Sequence, residues 1–275
     1  MNRLFILLLF LFISIVNIKA QKGAEVGAWV GNSFYFGDLN NLYRLTEPGI
    51  SGGLLFRYNV NSRLSPQCQI NYSRLRANDA NSSNLFDQNR NLSFYSDVFE
   101  ITPAIAFNFI PYIHGNDDTN FSPYVVTGLS LFYHDPKTKR LGHIEHLQSN
   151  GTEGQIVGQE YSRISGGWLL GLGTKVKINY RWSINVDLSS RITWTDYLDD
   201  VSTVYPNFST LRTTRGNNAV LLSDPSLNLG GDIPANRSGT QRGDGNDKDI
   251  FMSFGISLVY YFGGLECPQI SRFNE

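Results

Sequence analysis

"FEITPAIAFNF", Phe99 to Phe109, alternates without a break. Phe99, Ile101, Pro103, Ile105, Phe107 and Phe109 fall on one side of an extended chain, and Glu100, Thr102, Ala104, Ala106 and Asn108 on the other. Successive side chains of a strand point to opposite faces, so this segment offers one face to an apolar medium and keeps a carboxylate on the other. Toward the N-terminus the pattern recurs in Ala24 to Phe36, where Ala24, Val26, Ala28, Val30, Phe34 and Phe36 oppose Glu25, Gly27, Trp29, Gly31 and Ser33. It recurs in Ile50 to Val60, with Arg57 on the polar side, and more weakly in Leu64 to Arg76. Toward the C-terminus it returns in Val125 to Tyr133 and in Trp168 to Ile178, with Lys175 and Lys177 on the polar side. Trp182 to Ile192, with Asp187 and Arg191 on the polar side, and Ile250 to Phe262 complete the set. The spacing predicts eight strands and no amphipathic helix.

A soluble sandwich and a membrane barrel both alternate in this way, and the joins between strands separate them. Those near Asn61-Ser62 and Asn179-Tyr180 are tight, and Pro111 to Phe121 is short; the others are long, the last running from Thr195 to Asp249. Short and long joins in strict turn, with an even strand number, are the pattern of outer-membrane barrels, whose periplasmic turns are short and whose outer loops are long. The sequence therefore predicts an all-β, eight-stranded antiparallel outer-membrane β-barrel with both termini in the periplasm and outer-membrane lipid as its partner. Glu25, Arg57, Glu100, Lys175, Lys177, Asp187 and Arg191 would then point into a lumen just wide enough to be filled by side chains. Phe34, Phe36, Tyr58, Phe107, Phe109, Tyr112, Tyr133, Trp168, Trp182, Tyr260 and Phe262 lie near strand ends and read as headgroup girdles.

Residues 1–20 join Arg3, an apolar run from Leu4 to Val16 and a small Ala20 before Gln21, the make-up of a signal peptide. The barrel is expected over 21–263 and a periplasmic tail over 264–275. A formal net charge of −1 gives no bias toward polyanions, so nucleic acid is not an expected partner. Cys68 shares a face with Ile70 and Tyr72, toward lipid, and Cys267 sits in the tail as a candidate periplasmic contact; two cysteines are not a disulfide scaffold.

"TWTDYLDDVSTVYPN", Thr193 to Asn207, leaves the seventh strand at the outer rim. Trp194 and Tyr197 are expected at the membrane interface, with Asp196, Asp199 and Asp200 in water or folded back over the lumen; a divalent cation held by these acids is an alternative. His134, His143 and His146 with Asp135 and Glu145 are a second set of metal-ligand types. A lipid-modifying enzyme would need a His beside a nucleophile, for instance His134 with Ser130, but no motif selects such a pair. "RGD" (Arg242 to Asp244) and "DGNDKD" (Asp244 to Asp249) lie in the longest loop, where Gly, Asp and Asn serve as turn formers. No enzyme activity and no cofactor is predicted.

The chain also resembles the PorG family, small outer-membrane barrels of the type IX secretion system of Bacteroidetes-type bacteria. The resemblance rests on "SFYFGDLN" (Ser33 to Asn40), "GLLFRYNVNSRLS" (Gly53 to Ser65), "DVFEITPAIAFNFIPY" (Asp97 to Tyr112), "FSPYVVTGLSLFYHDPK" (Phe121 to Lys137), "GTEGQ" (Gly151 to Gln155) and "TDYLDDVSTVYPN". The last is the most specific, through Asp196, Tyr197, Leu198, Asp199, Asp200, Val201, Ser202, Tyr205 and Pro206. The resemblance implies a non-enzymatic part of a protein-export machine, associated with the periplasmic PorK and PorN ring. Within the predicted topology a ring would meet Asn61 to Arg63, Pro111 to Asn120 and the tail. The rival reading is a stand-alone surface barrel that binds a ligand or acts on lipid.

Overall fold

The computed structural model describes residues 22–115, 119–228 and 237–265. The predicted signal peptide and Cys267 lie outside the described residues. Eight strands close into an antiparallel barrel: β1 (Gly23–Phe36), β2 (Gly49–Asn59), β3 (Leu64–Asn78), β4 (Ser93–Asn108), β5 (Phe121–Arg140), β7 (Ile164–Lys177), β8 (Trp182–Thr193) and β9 (Ile250–Tyr261). Each pairs with its sequence neighbour around the barrel, and β1 meets β9 from Glu25↔Tyr261 to Phe36↔Ile250 to complete the circle. The chain enters and leaves at the end that carries the short turns.

A ninth strand, β6 (His143–His146), stands outside the barrel count. It folds back on the end of β5 through Leu141 and Gly142, both with positive φ, the backbone of a two-residue hairpin. The long joins also hold short helices, α1 (Leu85–Arg90), α2 (Leu147–Asn150), α3 (Phe208–Arg215) and α4 (Asn217–Ser223). They are too short to show a helical period in sequence, which is why alternation alone predicts none.

Parity carries through the barrel. Val30, Leu54, Ile70, Ile101, Leu131, Leu170, Leu188 and Ile256, one from each barrel strand, are all exposed on the outside. Water does not tolerate an apolar surface that runs round a whole molecule, whereas a bilayer requires one. Tyr58, Phe109, Tyr133, Trp168, Trp182 and Phe262 are exposed toward the band's edges. Two aromatic residues depart from the girdle reading. Phe36 is covered by Tyr43 at 5.2 Å between ring centres, and Tyr112 is buried at the short-turn mouth against His114 at 5.0 Å. In both cases a loop folds over the position, which strand parity cannot register.

β3, β4 and β5 run 15, 16 and 20 residues, well beyond the roughly 9–11 that span a bilayer. Their surplus projects past the band at the long-loop end, where outward positions turn polar at Arg74, Arg76, Asp97, Lys137 and Lys139, and the alternation that marks a strand in sequence is lost. Pro103 interrupts the β4–β5 register between Ile101↔Leu131 and Ala104↔Gly128, because it has no N–H to donate. Under the long-loop end Tyr35, Phe94, Phe132 and Phe251 from the strands pack with Leu39, Leu147, Leu198 and Leu222 from the loops in one buried cluster. The loops are thereby seated on the barrel mouth.

Candidate functional site

Two polar networks lie on either side of that apolar cluster. The lower one is carried by strands. Glu25 of β1 accepts from Arg57 Nη1 (3.0 Å) and Asn59 Nδ2 (2.6 Å), lies 3.0 Å from His114 Nε2, and has Lys175 Nζ at 4.0 Å. Arg57 also donates to Gln67 (2.8 Å). Higher up, Glu100 accepts from Arg191 Nε (3.0 Å), Ser130 (2.7 Å), Thr102 (2.6 Å) and Asn71 (3.1 Å), while Arg191 reaches Ser253 (2.6 Å) and Ser189 (2.7 Å). Asp187 accepts from Tyr124 and from Ser257 (3.1 Å). Lys177 sits apart from these pairs, half-buried at the short-turn rim with its ammonium 4.9 Å from the Tyr180 ring centre. Between the layers, a cavity lined by Trp29, Arg57, Asp187 and Arg191 measures about 20 Å³, room for about one water.

The upper network is carried by loops and gathers the rim motif. Asp196, Asp199 and Asp200 are buried, folded back over the lumen and out of water. Asp199 Oδ1 accepts from Val201 N (2.9 Å), and its Oδ2 accepts from Leu39 N (3.3 Å) and from Tyr35 Oη (2.6 Å). Tyr35 Oη also lies 2.7 Å from Asp249 Oδ1, and Asp249 Oδ2 accepts from Leu198 N (2.8 Å). A phenol has one hydrogen to give, so two such contacts require a second proton on one of the carboxyls. Burial, followed by their mutual repulsion with Asp38, pushes Asp199 well up; Asp249 is raised in the same direction, burial being the largest cause.

Asp200 takes positive φ, a left-handed conformation that Asp tolerates better than most residues. Its carboxylate accepts from Thr152 and from Tyr161 Oη (2.7 Å), and burial pushes it up to about 6. Glu153 gathers Ser202 N (2.9 Å), Thr203 N (3.1 Å), Tyr197 Oη (3.3 Å) and Arg242 Nη1 (2.9 Å), and Arg242 also donates to the Asp200 carbonyl (2.6 Å). Asp196 accepts from Ser202 Oγ (2.6 Å) and is raised to about 6, chiefly by burial. Asp38 accepts from Asp244 N (2.8 Å), has no hydrogen bond to its buried Oδ2, and is raised by burial to about 7.

Tyr197 stacks on Tyr161 at 4.4 Å inside this cap, while Trp194 remains on the outside. Leu198 and Val201 enter the apolar cluster, and Tyr205 is buried under Arg237. Pro206 lies against Gly154, which has positive φ and no room for a Cβ, since one would come within 2.9 Å of Pro206 Cβ. Arg90 crosses the floor of the cap to Asp79 (2.8 Å) and to the carbonyls of Arg242 and Asp38, both at 2.7 Å.

Sequence reading missed these partners of the motif: Tyr35, Asp79, Arg90, Glu153, Arg242 and Asp249. Two signals were present, since Glu153 lies in "GTEGQ" and Tyr35 takes the inward parity of β1. The "RGD" arginine is buried in ion pairs and so does not offer itself to a partner. Ser130 and His134 are both inward but four residues, about 13 Å, apart along β5; Ser130 serves Glu100, and His134 stacks on Tyr161. Among the described residues no group of three or more His, Cys, Asp or Glu side chains is placed to hold a metal ion. Cys68 is a free thiol.

An apolar belt, a filled lumen and a capped mouth define a small membrane-spanning β-barrel of the outer-membrane type. The chain belongs to the family described as Domain of unknown function (DUF6089), whose model matches residues 2–221. Among solved structures it is similar to Neisserial surface protein A (10% identity, 86% of this chain and 96% of that one, TM-score 0.43). It is also similar to OprG from Pseudomonas aeruginosa (9%, 89% and 98%, 0.39) and to outer membrane protein W of E. coli (12%, 89% and 100%, 0.36). No curated protein matches the chain in sequence.

Proposed function

We propose that this protein is a non-enzymatic outer-membrane component of the type IX secretion system, with its long loops outside and its termini in the periplasm. Its role is to anchor or stabilise the periplasmic PorK and PorN ring during protein export. The observation that carries this reading is the filled lumen: a central cavity of about 20 Å³ under a mouth closed by ion pairs leaves no width for a polypeptide, so the barrel serves export as a fixture. The resemblance to the PorG family supplies the system, and its segments Ser33 to Asn40, Gly151 to Gln155 and Thr195 to Asn207 interlock in one cap. The ring-facing surface is the short-turn end, with the turns Asn61 to Arg63 and Pro111 to Asn120 and the tail as its contacts.

The test is a mild-detergent pull-down of the tagged protein from outer membranes, read by mass spectrometry. Ring proteins should be recovered at a constant ratio, and deletion of the gene should block many exported proteins together. A clean monomer, under conditions that keep the ring itself intact, would sink the anchoring role. That outcome would favour a stand-alone surface barrel that binds a ligand or acts on lipid, a reading supported by the amount of built structure at the long-loop end.

A further inference from the structure

The outside of the barrel is not the same all the way round. Just past the apolar band at the long-loop end, the sector of β7, β8, β9, β1 and β2 presents Ile164, Ile192, Trp194, Ile250, Phe34 and Ile50. At the same end, β3 to β6 present Arg74, Arg76, Lys137 and Lys139 on strands that continue beyond the membrane. Tyr72 and Phe99, cross-strand partners with rings 5.3 Å apart, mark the upper edge of the band here. Arg74 is the next outward position on β3 and Arg76 the one after, each step about 6.6 Å along the strand. The headgroup layer extends about 5–8 Å beyond the hydrocarbon, so Arg74 stands within it and Arg76 at its outer side.

Arg74, Arg76, Tyr95, Lys139 and Ile144, with Glu47 among the lining, shape a groove of about 680 Å³. Tyr95 forms its floor, Arg76 stands opposite Tyr95 across the β3–β4 pair, and Lys139 and Ile144 form the far wall on β5 and β6. The acids nearby are largely engaged. Asp97 holds Arg74 (2.8 Å) and Lys137 (3.3 Å), Asp135 holds Lys137 (3.1 Å), His146 (3.0 Å) and Arg163 (3.5 Å), and Glu47 accepts from Asn81 (2.7 Å). Arg74 also lies over the Tyr95 ring at 5.5 Å. Arg76 and Lys139, both exposed, pair with no acid among the described residues.

We infer that this groove docks the phosphorylated sugar headgroup of an outer-leaflet glycolipid of the lipid A type. Arg76 and Lys139 contact its phosphate, Tyr95 lies under a sugar ring, and the acyl chains run down the apolar wall of β3 and β4. The placement rests on the long loops facing outward, as in the function proposed above. Guanidinium and ammonium groups on either side of an aromatic floor suit a phosphorylated sugar, and the apolar wall that begins at Tyr72 and Phe99, one ion-paired row of Arg74, Asp97 and Lys137 below the groove, distinguishes a lipid from a soluble anion.

Native mass spectrometry of the purified full chain in detergent, titrated with phosphorylated lipid A, tests the inference. The double variant Arg76→Glu/Lys139→Glu should bind about 30-fold more weakly or worse, since each surface cation near an anionic headgroup contributes about fivefold. Arg212→Glu, an exposed charge reversal on α3, should bind as the unaltered chain does. Equal binding by the double variant overturns the inference, as does equal binding of dephosphorylated lipid A. Competition by inorganic phosphate at the lipid's own concentration also overturns it, because the site would then read a free anion. The measurement uses isolated protein, so failure to find ring proteins in a pull-down and failure to bind lipid A are separate results.

Discussion

The lumen network and the cap network solve the burial of charge in different ways. In the lumen each buried acid has a dedicated cation or donor placed by a strand: Glu25 has Arg57 on the adjoining strand, and Glu100 has Arg191 across the lumen. In the cap, Asp38, Asp196, Asp199, Asp200, Asp249 and Glu153 crowd around Arg90 and Arg242, and cations run short. Burial with too few cations raises the carboxyl groups of the cap, so protons make up part of the remainder. Strands fix where a partner must stand, so paired charges can be placed there; loops converge from distant parts of the chain, and a proton is the counter-charge that needs no placing.

The sharpest way to break the comparison is to remove one member of a lumen pair. Arg191→Met should destabilise the barrel by about 3–5 kcal/mol, because Glu100 is left buried without its cation, while Glu100→Leu/Arg191→Met should recover more than half of that loss. Urea unfolding in lipid vesicles reads both, and equal destabilisation by single and double variants would contradict the pairing. Arg242→Met should free the cap by about 3 kcal/mol while leaving the barrel strands intact. Hydrogen exchange would show this as lost protection at Val201 to Tyr205 with β1 and β9 unchanged; equal loosening of both would make lumen and cap one cooperative unit.

Tyr35→Phe is a finer probe. It removes the bridge between Asp199 and Asp249 without emptying the apolar cluster, and should weaken the cap by about 2 kcal/mol. A change of pH probes the same contrast without a substitution. For Asp38, Asp196 and Asp200 the folded carboxyl titrates near 7, 6 and 6, above its unfolded value. Their contribution is therefore fully present below about pH 4 and is lost as pH rises through 6 to 7. Cap amides should exchange at least tenfold faster at pH 8 than at pH 5 after correction for intrinsic rates, about tenfold being the share of Asp196 or Asp200 alone; a cap that tightens with rising pH would show that cations, not protons, balance it.

Much of the barrel was legible because lipid on one side and a packed lumen on the other impose opposite demands on alternate residues. Glu100 and Arg191 could be assigned to the inside by parity, but their pairing could not, since register around a closed sheet is not written in any one strand. β3 was read, weakly, as far as Arg76, but the long-loop ends of β4 and β5 were not legible, because both faces there are wet or loop-covered, and Tyr95 and Lys137 carry no alternating signal. The cap was legible only as an unusual string. Nothing periodic connects Tyr35, Glu153, Asp200 and Arg242, and the burial of three aspartates follows from tertiary convergence alone.

One contact of the cap has a bearing on how the molecule comes into being. Tyr35 stands one residue from the end of β1, and Asp249 immediately precedes β9, so their 2.7 Å contact joins positions 214 residues apart directly above the meeting line of the first and last strands. A chain inserting into a membrane can build every other hairpin locally, but this handshake waits for the two ends of the sheet to find each other. Asp199 then locks onto the same phenol, so the lid is finished only on a barrel that has already been stitched shut, and an unfinished insertion intermediate would display an open, acidic mouth.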